Sequence, residues 1–520
     1  MPTSESAPRG EAAAHTTGGS VLRGTAWTAA ARILPQFYLL LTSVAAARFL
    51  GPDGMGRQSF IAFVALSTTT LFTSGLSIAL MRYIGEALGA DRPETALDLV
   101  AWAWRLTGGA AVLGAALLLS IAMTGAEPTG AWVLAGVGSA LGILHAVPSA
   151  VLIGVQRWRD ATIVGLVTGT VSLPATIAVL ALGGGITGIF AVEAAVAAGN
   201  LAFTTILARR AGRRLGAQPR RNPTFRRLVA RYAAWSTLSV VLSLIVFRRS
   251  EFFFLDMWST DSEIALYSIA FAAINALVLL FESVAAALLP AIATLHGAGA
   301  SDRILSGYRR SVRLMLLIAL PTTGAVLVFG PDAVRLVYGD DYSGTAPVLR
   351  VMTVVLPLIP LMAAGNALLV GMAYLWPVLA ASGVAAAVNV GLALLLIPRY
   401  DAVGAALANA GAQVVVGLIV VGLCARILGR QPIDGALTVR TAIVSALSGL
   451  VAWGLVALVA GVIGALLGLV AGIATFMVAG RLLRILPPED AEWLLEVTGR
   501  SPLTRAMAPL VGFLAPAAAK

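Results

Sequence analysis

Apolar runs of about 20 residues recur along nearly the whole chain, separated by short polar segments. Such a run is long enough to cross the hydrocarbon core of a bilayer as an α-helix. The pattern therefore predicts an all-α integral membrane protein with about fourteen transmembrane helices. The expected spans are 25–47, 58–80, 101–124, 131–153, 161–182, 186–208, 231–256, 264–289, 312–329, 347–370, 375–397, 402–424, 441–461 and 463–486.

The polar stretches divide these spans into predicted domains. Residues 1–20 lack the apolar core of a signal peptide and are expected to be a disordered cytoplasmic tail. The following domains are expected to be an N-lobe with helices 1–6 (21–208), a basic linker (209–230), a C-lobe with helices 7–12 (231–427), a further helix pair (440–486) and a cytoplasmic tail (487–520).

A weak internal repeat relates the two lobes. The segment 51–63 (GPDGMGRQSFIAF) resembles 260–272 (TDSEIALYSIAFA), and 152–210 resembles 370–426. Each copy holds six predicted helices, so both copies cross the membrane in the same direction. Parallel repeats of this kind form two lobes related by a pseudo-two-fold axis along the membrane normal.

Charge sets the expected orientation. Only 12% of the residues are charged, and arginines concentrate in one set of alternate loops and in the basic linker. The positive-inside rule places those loops in the cytoplasm, so we expect a multi-pass protein of the cytoplasmic membrane with both termini inside. Because topology accounts for the basic linker, no nucleic-acid partner is predicted.

Several classes of chemistry find no support in the residues. Cys424 is the only cysteine, the three histidines are scattered, and Lys520 is the only lysine. An intrachain disulfide and a P-loop are thereby excluded, and no zinc-ligand spacing exists. We predict neither a metal nor a cofactor, and a transporter rather than an enzyme.

Four stretches carry a resemblance to a known family. They are ARFLGPDGMG (47–56), ALYSIAF (265–271), VLRVMTVVLPLIP (348–360) and IPRYDAVGAALA (397–408). In order and spacing they resemble oligosaccharide flippases of the O-antigen (Wzx) type, within the multidrug/oligosaccharidyl-lipid/polysaccharide exporter superfamily. Ala265 departs from the family, which usually has glycine there. The helix pair after 440 is similar to that of lipid II flippases.

The resemblance implies a central cavity between the two lobes and alternating access. It implies movement of a polyprenyl-pyrophosphate-linked oligosaccharide to the outer leaflet for cell-surface polysaccharide biosynthesis. The expected partners are this lipid-linked oligosaccharide, membrane lipid and a polysaccharide polymerase or glycosyltransferases.

Charged residues inside predicted spans are the first candidates for substrate binding, because an ionisable group at membrane depth is costly. Arg248, Arg249 and Glu251 lie at the outer end of helix 7, and Arg32 lies inside helix 1. Arg248 could pair with Glu251 along the helix, which would leave Arg249 to face an anion. Arginine suits a pyrophosphate because its planar group donates two parallel hydrogen bonds. Interfacial snorkelling is the alternative for all of them.

Glu193 and Glu282 are lone carboxyls in apolar runs and, with Glu251, are candidates for coupling transport to a proton or sodium gradient. A structural carboxyl is the alternative. Asn275 and Asn366 could hydrogen-bond sugar hydroxyls, as could Asn389, Asn409 and Gln413. Such amides more often join helices to one another.

Four other functions compete with the flippase hypothesis. A cation-coupled multidrug exporter of the same superfamily would need an acidic cavity, which the arginines oppose. A membrane glycosyltransferase or polymerase would need a large outer loop, and the longest one here, near 330–346, is short. A lipid II flippase and a scaffold without transport stay open.

Overall fold

The computed structural model describes residues 18–213, 215–247, 250–431, 433–459, 461–498 and 508–515. Within these residues the regular structure consists of helices, and no strand is assigned. The predicted all-α class is confirmed.

The described chain forms sixteen α-helices and two short 3₁₀ turns. The α-helices are α1 (Gly18–Gly89), α2 (Pro93–Met123), α3 (Thr129–Gly154), α4 (Trp158–Ala181), α5 (Gly185–Arg213), α6 (Pro223–Phe247), α7 (Glu251–Trp258), α8 (Asp261–Gly297), α9 (Ser301–Tyr338), α10 (Thr345–Thr353), α11 (Ile359–Gly371), α12 (Leu375–Leu428), α13 (Gly435–Leu458), α14 (Gly461–Leu483), α15 (Pro488–Thr498) and α16 (Ala508–Leu514). The 3₁₀ turns are Asp340–Tyr342 and Leu356–Leu358.

Eleven described helical segments are long and apolar enough to cross a membrane. Two of them, in α1 and α12, are too long for one span, since 54 residues of α-helix would measure about 80 Å. Each is broken by one residue with non-helical angles, Gly51 (φ 70°, ψ 179°) in α1 and Asp401 (φ 46°, ψ −127°) in α12. Each therefore matches two predicted spans.

The predicted span 231–256 is not one continuous helix. α6 ends at Phe247 and α7 begins at Glu251, so two helices occupy this part of the sequence. The other predicted spans each correspond to a helix, to half of a broken helix, or to the α10–α11 pair.

The chain separates into two compact units. The first comprises the described residues up to Phe49 together with Val64–Val240. In it α3 packs against both α2 and α5, and α4 packs against α5. Its core is aliphatic and rich in alanine, with Leu80, Leu99 and Val147 essentially inaccessible.

The second unit comprises Leu50–Phe63 and the chain from Val241 onwards. In it α8 packs against α10 and α11, α12 against α7 and α11, and α13 against α9 and α14. Small residues let α9 and α13 approach closely, since a Cβ on Gly449 would lie 3.7 Å from the Cα of Gly324.

The C-terminal segment packs against the second unit. Asp490 in α15 is 0% exposed and accepts hydrogen bonds from Arg310 (2.9 Å) and Arg313 (2.9 Å) of α9. Trp493 lies beside Arg310, with the guanidinium 5.7 Å from the ring centroid. Leu494 and Leu495 join an apolar cluster with residues of α9, α14 and α16. This segment is therefore fixed to α9 by both charge and apolar burial.

Candidate functional site

The segment 51–63 in α1 packs on the start of α8. A Cβ on Gly56 would lie 1.6 Å from the carbonyl oxygen of Asp261, so only glycine fits this close approach. Ser59 Oγ donates to Ser268 Oγ over 3.3 Å. The segment 51–63 therefore contacts the start of α8. These two regions overlap two of the stretches that carry the family resemblance, 47–56 and 265–271.

The same segment also holds the short helix α7. Arg57 forms a salt bridge of 3.0 Å with Asp256. Phe63 makes edge-to-face contacts with Phe252 and Phe253, with centroid separations of 5.2 and 5.0 Å. Aromatic pairs in this geometry are worth about 0.5–1.5 kcal/mol beyond their burial. These contacts hold α7 against the segment 51–63.

Glu251 is the first residue of α7 and is 0% exposed. Its Oε1 accepts hydrogen bonds from Asn389 Nδ2 (2.7 Å) and Asn409 Nδ2 (2.9 Å). Asn389 lies in the first half of α12 and Asn409 in the second half, on either side of the break at Asp401. One carboxyl oxygen therefore joins α7 to both halves of α12.

A second layer of polar groups holds the two amides. Ser250 Oγ donates to Asn389 Oδ1 over 3.2 Å, and Gln413 Nε2 donates to Asn409 Oδ1 over 2.6 Å. The buried phenol of Tyr267 in α8 lies close to the Glu251 carboxyl. We call Ser250, Glu251, Tyr267, Asn389, Asn409 and Gln413 the Glu251 cluster. Buried polar groups organised in this way are costly unless nearly all are hydrogen-bonded.

The break in α12 is tied to the same region. Asp401, which has a positive φ, accepts a hydrogen bond from Ser259 Oγ over 2.6 Å. The next amide, that of Ala402, donates to Glu263 Oε2 over 3.2 Å. This break lies in the gap between the predicted spans 375–397 and 402–424. These bonds orient the two halves of α12 so that Asn389 and Asn409 reach one carboxyl.

No described residue forms a salt bridge with Glu251. Transferring an isolated carboxylate out of water costs so much that such a group is paired, hydrogen-bonded or protonated. Amide donors on one oxygen stabilise either form of the acid. The Glu251 cluster therefore places a carboxyl that can gain or lose a proton between α7 and both halves of α12.

The predicted anion-binding arginines cannot be placed relative to this cluster. Arg248 and Arg249 lie outside the described residues, and so does the proposed pairing of Arg248 with Glu251. Arg32 belongs to α1, and its side chain lies outside the part that the structure describes. Their roles stay predictions.

The other predicted site residues do not join the Glu251 cluster through any described hydrogen bond. Asn275 in α8 and Asn366 in α11 are half-buried. Glu282 in α8 and Glu193 in α5 are exposed along their helices, and neither forms an ion pair with a described residue. Among the predicted carboxyls, Glu251 alone is buried in a hydrogen-bonded site in the described chain.

Sequence reasoning assigned no role to Tyr267. The residue lies within ALYSIAF (265–271), one of the stretches that carry the family resemblance, and this was the available signal. For Asn389, Asn409 and Gln413 the sequence offered two roles, binding of sugar hydroxyls or joining of helices, and it did not connect them with Glu251. Their convergence on Glu251 depends on contacts between residues 138 and 158 positions apart.

Comparison with protein families shows which family the chain belongs to. Residues 21–296, more than half of its length, match the family described as polysaccharide biosynthesis protein. The chain belongs to the polysaccharide biosynthesis protein family. Residues 236–395 also match the MatE family. A search of curated protein sequences finds no match.

Solved structures resemble this polysaccharide biosynthesis protein in fold. The lipid II flippase MurJ, in an inward closed conformation, has a TM-score of 0.71 at 13% identity, over 87% of this chain and 98% of that one. An inward-facing multidrug resistance MATE family transporter of the MOP superfamily has a TM-score of 0.64 at 16% identity, over 76% and 95%. An outward-facing structure, also described as a MATE family transporter, has a TM-score of 0.56 at 15% identity, over 79% and 96%.

These findings confirm the family resemblance and the fold class that the sequence indicated. The chain is a multi-pass membrane flippase or transporter of the multidrug/oligosaccharidyl-lipid/polysaccharide exporter superfamily, with a two-lobe all-helical fold. Its families and structural neighbours are transporters and flippases. At these identities the structural likeness bears on the fold and leaves the choice of substrate to other arguments.

Proposed function

We propose that this protein translocates a polyprenyl-pyrophosphate-linked oligosaccharide from the cytoplasmic to the outer leaflet of the cytoplasmic membrane. The observation that carries the proposal is the match of residues 21–296 to the polysaccharide biosynthesis protein family. The sugar-pyrophosphate head passes through the protein by alternating access, while the polyprenyl tail stays in lipid. Both termini are cytoplasmic in this proposal, following the arginine-rich loops.

Two related functions are the competitors. The match of residues 236–395 to the MatE family favours a multidrug exporter, and the fold likeness to the lipid II flippase favours a peptidoglycan precursor as substrate. The family match is longer than the MatE match and begins near the first helix. The arginines predicted for substrate binding also suit an anionic head group better than a cationic drug.

The Glu251 cluster is proposed as the coupling site. A carboxyl that is completely buried and joins α7 to both halves of α12 changes its charge when it gains or loses a proton. The free energy of a buried charge is large, so this change would alter the preferred packing of these helices. Protonation of Glu251 would thus bias one access state over the other.

The hydrogen bonds around Glu251 favour a proton over a sodium ion as the coupling ion. Both amides direct a nitrogen, a hydrogen-bond donor, towards Glu251, whereas a sodium ion requires oxygen ligands. The amide oxygens already accept hydrogen bonds from Ser250 and Gln413. Sodium binding at Oε1 with the two amides as ligands would require both amides to turn over and to lose these bonds.

Arg32, Arg248 and Arg249 are proposed to bind the pyrophosphate or an acidic sugar. The basis is their position inside predicted spans and the bidentate geometry of arginine with phosphate groups. Arg249→Ala should abolish translocation while leaving the amount of folded protein unchanged. Full transport by this variant at normal expression would remove Arg249 from the proposal.

The substrate is tested by deleting the gene and measuring lipid-linked sugars and surface polysaccharide. Accumulation of one polyprenyl-linked oligosaccharide with loss of its surface polymer is the expected result. Accumulation of the peptidoglycan precursor would transfer the assignment to lipid II. An unchanged lipid-linked pool with increased sensitivity to cationic drugs would transfer it to a multidrug exporter.

Coupling is tested in proteoliposomes that contain the accumulated lipid and an imposed proton or sodium gradient. Glu251→Gln keeps the size of the side chain and an acceptor oxygen but cannot titrate, so it should lose gradient-driven translocation. Glu251→Asp keeps a carboxyl and should retain part of it. Glu86→Gln, at an exposed position of α1, is the matched control and should remain active. Gradient-driven transport by Glu251→Gln at the normal rate would exclude the cluster.

A further inference from the structure

The first unit contains an apolar cavity that the proposed function does not use. Its volume is about 260 Å³, and it is lined by residues of α1, α2, α3 and α5. Val100 and Trp104 of α2 face it from one side, and Val151 of α3 and Ala208 of α5 lie around it. The volume accommodates a segment of hydrocarbon chain.

Three polar groups of α5 border this cavity. Arg209 and Arg213 are four residues apart, so they project from one helix face, and both are exposed. Neither forms an ion pair with a described residue. Thr205 lies one turn before Arg209, and its Oγ1 is buried without a hydrogen-bond partner in the described structure. The hydroxyl of Thr205 and the guanidiniums of Arg209 and Arg213 therefore lie in this order along α5, beside the apolar lining of the cavity.

The edge of the cavity is held in place by the basic linker. Leu215 lines the cavity, and beyond it the amide of Arg220 donates to the carbonyl of Glu94 at the start of α2 over 3.3 Å. Further along, Arg226 forms a salt bridge with Asp98, which is 3% exposed. These bonds fix the linker to α2 beside the cavity.

We propose that this cavity binds an anionic glycerophospholipid of the cytoplasmic leaflet. The phosphate lies between Arg209 and Arg213, the Thr205 hydroxyl donates to an ester carbonyl, and one acyl chain occupies the apolar cavity. A soluble phosphate would leave the apolar wall unused. A zwitterionic lipid brings its own ammonium group to the two guanidiniums. The predicted orientation puts this end of α5 at the leaflet where anionic lipids attract basic residues.

The preference for an anionic lipid is tested by native mass spectrometry of the full-length protein. The protein is released from micelles that contain equal amounts of dioleoyl phosphatidylglycerol and dioleoyl phosphatidylcholine. The wild type should retain one phosphatidylglycerol. Arg209→Ala/Arg213→Ala should lower that preference about 30-fold, since each arginine near a membrane is worth about 1 kcal/mol. The control Arg210→Ala/Arg221→Ala removes the same charge at exposed positions away from the cavity and should retain the lipid.

Binding of the acyl chain in the apolar cavity is tested with variants that keep Arg209 and Arg213. A Cβ on Gly212 would lie 3.7 Å from Leu97 Cδ2, an ordinary contact, so Gly212→Leu fills space in the cavity without a clash. This variant should release phosphatidylglycerol. Gly199→Leu on the same helix, where nothing lies within 4 Å of the new Cβ, should retain it.

Two results would overturn the proposal. Equal loss of phosphatidylglycerol from both double arginine variants would mean general attraction of basic loops to anionic lipid. Retention by Gly212→Leu, or equal retention of phosphatidylcholine by the wild type, would mean that the cavity does not seat an anionic lipid. Thermal unfolding of each variant identifies loss of lipid that follows from loss of fold.

Discussion

Ser59 Oγ donates a hydrogen bond to Ser268 Oγ, and the two serines occupy equivalent positions of the internal repeat. Each is the ninth residue of its copy, in 51–63 and 260–272. Equivalent residues contact each other where a two-fold axis passes between them, as at an isologous interface. The weak repeat in the sequence is therefore expressed in the structure as a direct contact between its two copies.

The serine pair should show energetic coupling. Ser59→Ala removes one partner of a buried hydrogen bond, with an expected cost of about 1 kcal/mol in the free energy of unfolding. Ser268→Ala also removes the bond from Ser268 to the carbonyl of Ala265, so it should cost more. The double variant should cost less than the sum of the two singles, measured by unfolding in detergent. Strict additivity would show that the pair does not interact.

Gly56 should tolerate no side chain. The Cβ of Gly56→Ala would lie 1.6 Å from a backbone oxygen of Asp261, which can move only if α1 and α8 separate. We expect a loss of folded protein, read from the monodisperse fraction in size-exclusion chromatography. Gly109→Ala in α2 is the control, because nothing lies within 4 Å of its Cβ, and it should be neutral or slightly stabilising. A well-folded Gly56→Ala protein would contradict the close packing of 51–63 on α8.

Asp490 should contribute strongly to stability. Asp490→Ala removes the buried carboxylate that accepts from Arg310 and Arg313. Both arginines are partly exposed, so the expected cost is that of hydrogen bonds to charged groups, about 1.5–3 kcal/mol. The measurement is the change in thermal unfolding together with protease cleavage of the C-terminal segment. Asp302→Ala breaks an exposed pair with Arg430 and should change little. Equal effects of the two variants would mean that the C-terminal segment is not fixed by Asp490.

The sequence alone predicted most of the fold. In a bilayer the backbone must satisfy its own hydrogen bonds, so an apolar run of sufficient length becomes a helix almost regardless of its neighbours. The spans and the turn at Asp401 follow from that local rule. The division of 231–256 into α6 and α7 does not, because the apolar runs before Arg248 and after Glu251 together have the length of one span.

The sequence by itself determined that this protein is a helical membrane protein with an internal repeat. It also identified Glu251 as a charged residue inside a predicted span. Only the tertiary structure decided what surrounds that carboxyl. Asn389 and Asn409 reach it from two halves of one broken helix, 138 and 158 positions away. Helix formation depends on residues within about one turn of each other. Burial and pairing of a charge depend on which helices pack together, and the hydrophobic pattern along the chain does not specify those partners.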